Sequence, residues 1–141
     1  MLKNIPHCIS PDLLKILMEM GHGDEIVIAD GNFPAASHAQ NLIRLDGLYI
    51  PEILEAILTL MPLDTYADSS VFYMMHGQEI SAPPIWREFE RILQITDNQT
   101  AKSTKIERFQ FYEQAKHAYA IIATSEQALY ANIILKKGVI I

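Results

Sequence analysis

Behind Ser10-Pro11-Asp12, the apolar residues Leu13, Leu14, Leu17 and Met20 recur at helical spacing. Ser10 supplies an N-cap, Pro11 a proline at the first helical position and Asp12 an acid for the first turn, so the pattern predicts a helix over residues 10–20, closed by Gly21. The period then changes. Between Glu25 and Asp30 runs the unbroken apolar stretch Ile26-Val27-Ile28-Ala29, the pattern of a strand covered on both faces, and Gly31-Asn32-Phe33-Pro34 ends it in a loop. Leu42 to Leu45 reads as a short strand stopped by Asp46-Gly47, and Pro51 to Met61 as a helix with Ile53, Leu54, Ile57, Leu58 and Met61 on one face, stopped by Pro62.

The same reading makes Leu63-Asp64-Thr65-Tyr66 a loop and Val71 to Met75 a second buried strand ended by His76-Gly77. Pro84 to Leu93 is a helix with Ile85, Phe89, Ile92 and Leu93 on one side and Trp86 beside that stripe. The polar segment Thr96 to Lys105 reads as a flexible connection too short to separate domains. Structure resumes at Ile106 to Phe109, with a helix over residues 110–118, a strand from Tyr119 to Ala123, a turn at Thr124-Ser125-Glu126 and a strand from Asn132 to Leu135. The apolar end Val139-Ile140-Ile141 is expected in the core or at a subunit contact. Alternating strands and helices of this kind predict a compact α/β domain.

Composition excludes several classes. The chain has 141 residues, half of them apolar and a fifth charged, which predicts one domain over residues 1–141. A net charge of −6 argues against a nucleic-acid backbone as partner. The single cysteine, Cys8, rules out an internal disulfide and suits a reducing cytosol, and its surroundings suggest a small apolar residue rather than a nucleophile. With no secretory signal pattern and no apolar run of membrane-spanning length, a cytoplasmic location is expected. There is no glycine-rich phosphate fingerprint, Walker motif or nucleophile elbow.

The candidate chemistry starts at Gly21-His22-Gly23-Asp24, where an imidazole sits between glycines, and at Asp30, at the carboxyl end of the predicted strand, where open α/β sheets bind ligands. The first hypothesis is therefore one small-molecule site containing both. Each has a plainer reading: Gly21 as a helix cap with His22 merely exposed, and Asp30 as the start of an Asx turn. A metal set of His22, Asp24, Asp30 and His38 can be drawn but lacks the ligand spacing that makes such assignments specific. Arg108, within Arg108-Phe109-Gln110-Phe111-Tyr112-Glu113, combines a fixed cation with aromatic faces suited to a sugar, or is an arginine reaching out from a core edge. Tyr130-Ala131-Asn132 offers a hydroxyl, backbone groups and an amide to a polyol, or is a turn before a strand.

Taken in order, these segments resemble the L-fucose mutarotase family and its sister family of D-ribose pyranases. The resemblance runs nearly end to end: Ile9-Ser10-Pro11 with Leu13-Leu14-Lys15, Glu19 to Glu25, Asp30, Phe33-Pro34, Ile43-Arg44 with Asp46-Gly47-Leu48, Leu63 to Tyr66, Arg108-Phe109 with Phe111-Tyr112-Glu113, and Tyr130 with Asn132 to Val139. It implies a three-layer α/β/α domain around a mixed sheet, with His22 as the catalytic proton donor and Asp30, Arg108, Tyr130, Ala131 and Asn132 binding the sugar. Tyr119 is a further candidate for proton transfer, or a space-filling residue. Arg108 favours the fucose type, since ribose-type proteins carry a histidine there, whereas Ala131 looks more like the ribose type. The resemblance also implies a homodecamer with sites across a subunit contact. The reaction expected is exchange of α and β anomers by acid/base ring opening, which needs no metal or cofactor. A D-ribose pyranase and a non-catalytic sugar-binding module remain as alternatives.

Overall fold

The computed structural model describes residues 1–75, 77 and 81–141. In chain order the elements are α1 (Pro11–Glu19), β1 (Glu25–Ala29), α2 (Ala35–His38), β2 (Leu42–Leu45), α3 (Ile50–Leu60), β3 (Val71–Met74), α4 (Pro84–Ile95), β4 (Ser103–Ile106), α5 (Arg108–His117), β5 (Ala120–Thr124) and β6 (Ile133–Lys136). The strands form one mixed sheet in the order β2-β5-β1-β6-β3-β4. β2, β5 and β1 run parallel, β6 is antiparallel to both of its neighbours, and β4 pairs parallel with β3.

Side-chain alternation along the strands makes the three layers. Ile26 and Ile28 of β1, with Ile122, Ile133 and Leu135, face α1, α3 and α4 in the larger core, while Val27 and Ala29, with Ile121 and Ile134, face α2 and α5. β1, β5 and β6 are thus covered on both sides, which is why they read as apolar runs. α1 begins as its sequence dictates, the Ser10 hydroxyl accepting from the Leu13 N–H at 3.2 Å. α3 is tied down at its start by two carboxylates, Glu52 accepting the Tyr49 N–H and the buried Glu126 accepting the Ile50 N–H. Trp86 is a full member of the buried face of α4, stacked on Tyr73 at 4.9 Å between ring centroids, and Ile85 is only half-buried.

Four expectations need correction. α1 is not closed by Gly21: the last turn ends at Met20 in an extended conformation, and the Gly21 N–H bonds the Asp24 carboxylate instead. Residues 35–38 form the short helix α2, which Gly31 and Pro34 just before it disguise as loop. The segment read as flexible contains β4, an edge strand too exposed on both faces to show alternation. α5 starts at Arg108, two residues earlier than expected, because the Glu107 carboxylate caps the Phe109 and Gln110 N–H groups. Of the two places expected for Val139, Ile140 and Ile141, the core of the single chain does not hold them: all three are exposed there. His76, expected at the end of the second buried strand, lies outside the described residues.

Past β6 the chain lies directly on the loop after α3. A Cβ on Gly138 would sit 2.4 Å from the Leu63 carbonyl oxygen and 2.9 Å from the Asp64 Cα, both backbone atoms that cannot swing aside. Gly138→Ala is therefore expected to lower stability by about 1–3 kcal/mol, as overpacking does, measured by urea unfolding; an unchanged midpoint would show that the two segments separate without cost.

Candidate functional site

The parallel strands give the sheet two chemically different ends. At the amino end of β1, the loop Gly21 to Asp24 presents His22, and the positive φ of 86° at Gly23 lets the chain turn sharply there. The His22 Nε2 lies 2.9 Å from the Asp64 Oδ1, the side chains being 45% and 4% exposed. Asp64 also accepts the backbone N–H groups of Tyr66 and Ala67. An ionised carboxylate only accepts, so Nε2 carries the proton toward Asp64 and Nδ1 takes no part in that bond. The His22 hydrogen bond is the main cause holding the Asp64 pKa below the ordinary carboxylate value, and the two backbone N–H groups add to it against the opposing effect of burial. Tyr66 stands edge-on to the imidazole, 5.5 Å between centroids.

Tyr119 is at this same end, opposite Glu25, its hydroxyl donating to the Glu19 carboxylate at 2.9 Å. That bond is the first cause of a raised Tyr119 pKa, so its proton is held rather than offered.

At the carboxyl end of β1 stands Asp30. The side chain of Asn132, the residue just before β6, grips it: its Oδ1 accepts the Asp30 N–H at 2.7 Å and its Nδ2 donates to Oδ2 at 3.0 Å. Oδ1 of Asp30 accepts the Asn32 N–H at 2.9 Å, so the Asx turn is present as well as the link to Asn132. Burial pushes the Asp30 pKa up, the nearby Glu126 adds to this, and the hydrogen bonds from Asn32, Asn132 and Phe33 oppose it. Tyr130 is half-buried with φ 57°, Ala131 is fully buried, and the Tyr130 carbonyl accepts from the Trp86 indole at 2.9 Å. Arg108 opens α5 on the same end, its guanidinium 4.8 Å from the Phe109 ring and 6.0 Å from the Tyr112 ring. Tyr112 closes the group against Phe33 of the Asp30 loop at 5.4 Å and His38 at 5.7 Å.

So Asp30, Arg108, Tyr130, Ala131 and Asn132 gather at one end of the sheet, and His22 and Tyr119 lie at the other. Within one chain His22 and Asp30 do not meet, and the carboxylate that orients the imidazole is Asp64, not Asp30. Among the described residues no group of three or more His, Cys, Asp or Glu is arranged to hold a metal ion, so the drawn set of His22, Asp24, Asp30 and His38 is not assembled. Two residues were missed from sequence. Asp64 sits in a loop without periodicity, and Tyr112 is one helical turn from Arg108, a relation hidden by starting the helix at 110.

The sequence model of the RbsD / FucU transport protein family matches residues 3–140. The chain belongs to this family. Fucose mutarotase of Mus musculus is 51% identical over 146 aligned positions, covering 97% of this chain and 94% of that protein. The crystal structure of the fucose mutarotase from Streptococcus pneumoniae in complex with L-fucose superposes with a TM-score of 0.95 at 55% identity, covering 99% of this chain and all of that one. Bacillus subtilis RbsD complexed with D-ribose matches with a TM-score of 0.76 at 27% identity, over 94% of this chain and 95% of that one. Both arms of the RbsD / FucU family thus share the sheet described here, and the fucose-bound member is nearer in both sequence and shape.

The His22–Asp64 bond has a pH signature. Because the Asp64 pKa is lowered on folding, its stabilisation is complete above the ordinary carboxylate value of about 4 and is lost as pH falls through the depressed folded value. Urea unfolding of wild type and Asp64→Ala from pH 7 to pH 2 is expected to show the stability difference between them shrinking on the acid side. A constant difference would mean that the carboxylate's charge contributes nothing.

Proposed function

We propose that this chain is an L-fucose mutarotase, an isomerase that interconverts the α and β anomers by opening and reclosing the pyranose ring. The single observation that carries this reading is the half-exposed His22 held through Nε2 by Asp64, in a chain 55% identical to a protein solved with L-fucose. In the reaction, protonated His22 gives the Nδ1 proton to the ring oxygen while the anomeric hydroxyl loses its proton to a base. The bond between C1 and the ring oxygen breaks, C1=O forms, the C1–C2 bond rotates, and reclosure returns both protons. Asp30 is our candidate for the base, its raised pKa making it more basic than a solvated carboxylate. Arg108, Tyr130 and Asn132 bind hydroxyls of the sugar, with the Ala131 backbone behind them.

The two ends of the sheet are too far apart for one chain to do this alone, since β1 by itself spans roughly 15 Å at about 3.3 Å per residue. The proposal therefore includes a site assembled from two subunits, His22 and Asp64 from one and Asp30, Arg108, Tyr130 and Asn132 from its neighbour, in a homo-oligomer of decameric type. The exposed apolar residues Met18 beside the His22 loop and Ile140 and Ile141 at the carboxyl end suit such a contact. Among the described residues no helix is long and apolar enough to cross a membrane, and a cytoplasmic location fits the reducing conditions that the lone Cys8 suggests.

His22→Ala is expected to abolish catalysed anomer exchange of L-fucose, read by saturation-transfer NMR, with the fold retained. Subunits carrying His22→Ala and subunits carrying Asn132→Ala, each inactive alone, should recover about a quarter of wild-type activity when dissociated and reassembled in equal amounts, because random pairing makes that share of shared sites intact. No recovery would reject the two-subunit site, and undiminished exchange by His22→Ala would reject the mechanism. Arg108→His should move preference from L-fucose toward D-ribose across a panel of reducing sugars; an unchanged ranking removes Arg108 as the selector.

A further inference from the structure

The last residue of β6 and the two that follow are bonded to both loops that carry the His22–Asp64 pair. On one side the Lys136 carbonyl accepts the Asp64 N–H at 3.0 Å, and the Gly138 N–H donates to the Pro62 carbonyl at 2.8 Å. Lys137 between them faces the other way, as alternate residues of an extended chain do, its carbonyl accepting the Gly23 N–H and its N–H donating to the Asp24 carbonyl, both at 2.8 Å.

The Lys137 side chain adds a third hold. Its ammonium donates to the Leu17 carbonyl at 2.8 Å and the Met20 carbonyl at 2.5 Å, at the carboxyl end of α1. A helix leaves its last carbonyls unsatisfied and its carboxyl end partly negative. α1 has no basic residue in its last turn and ends at Met20 in an extended conformation, without the left-handed residue that would close it from its own chain. Lys137 supplies both the missing donors and the missing charge from across the fold. The carbonyl that it holds most closely belongs to Met20, two residues before His22.

We propose that Lys137 is a positioning residue for His22: its ammonium and its backbone fix the two sides of the Met20 to Asp24 turn, so that the imidazole meets Asp64 through Nε2. The proposal rests on the reading of His22 as the acid/base. Asp64 sets which nitrogen is protonated, and Lys137 sets where the ring stands. A lysine that only closed a helix would affect stability alone.

The test uses the full-length assembled protein with Lys137→Met, which keeps the stem and removes the N–H donors, and Lys137→Arg, which keeps a cation able to bond two carbonyls. One readout is nitrogen NMR of the His22 ring, which reports the protonated nitrogen without requiring activity. The other is L-fucose anomer exchange resolved into kcat and KM. Lys137→Met is expected to shift the His22 ring resonances and lower kcat roughly tenfold or more while KM stays within about twofold, since a misplacement of about 1 Å can cost about 100-fold. Lys137→Arg should restore both. Unchanged ring resonances in Lys137→Met overturn the proposal, and so does an unchanged kcat with only the unfolding midpoint lowered. Should Lys137→Met fail to fold, Lys137→Gln takes its place and is judged by the same two readouts. If wild type exchanges the anomers of no reducing sugar, the functional reading falls instead, and the ring resonances alone decide whether Lys137 places His22.

Discussion

β1 lies between β5 and β6 with Ile26, Val27, Ile28 and Ala29 wholly buried, so neither its length nor its direction can change without opening both cores. Burying each large aliphatic side chain is worth about 1.5–3 kcal/mol, which makes such a strand a fixed ruler rather than an adjustable link. The ruler separates an imidazole–carboxylate pair at one end from an acid, an amide and an arginine at the other. Chemistry that needs both sets must bring them together in some way other than by bending the fold.

Each end is held in its own manner. At the Asp30 end, side chains grip backbone: the Asn132 amide reads the Asp30 N–H and carboxylate together, and so fixes β6 to the loop after β1. The His22 end is held mainly by backbone on backbone, with Lys136, Lys137 and Gly138 stitched to the loops on either side and the Lys137 ammonium added on the Leu17 and Met20 carbonyls. The first arrangement leaves a partly desolvated carboxylate with a raised pKa, and the second a carboxylate whose donors keep it ionised. Two acids in one small protein are thereby given opposite tendencies by their surroundings.

Much of the fold was legible where burial imposes a period. α1, α3, β1, β3, β5 and β6 each bury at least one face, and their apolar spacing says so. α2 and β4 were not legible, one being a single turn behind Pro34 and the other an edge strand with solvent on both sides. For the site, the motif around His22 and the Tyr130-Ala131-Asn132 segment stood out through resemblance, yet their placement at opposite ends did not, although the five residues of β1 between His22 and Asp30 imply it. Asp64 was hidden because its role depends on a contact 42 positions away in the chain, which no local pattern records.

Tyr130 carries a backbone constraint of its own. Its backbone sits at φ 57°, a conformation that costs a residue with a side chain about 1–2 kcal/mol and that glycine adopts freely. The chain keeps a tyrosine there, supported from behind by the Trp86 indole on its carbonyl. A glycine at this position would relax the backbone and remove the ring and hydroxyl together. Position 130 is thus one where backbone ease and side-chain content pull in opposite directions, so a substitution that gains stability there removes the groups that the tyrosine offers.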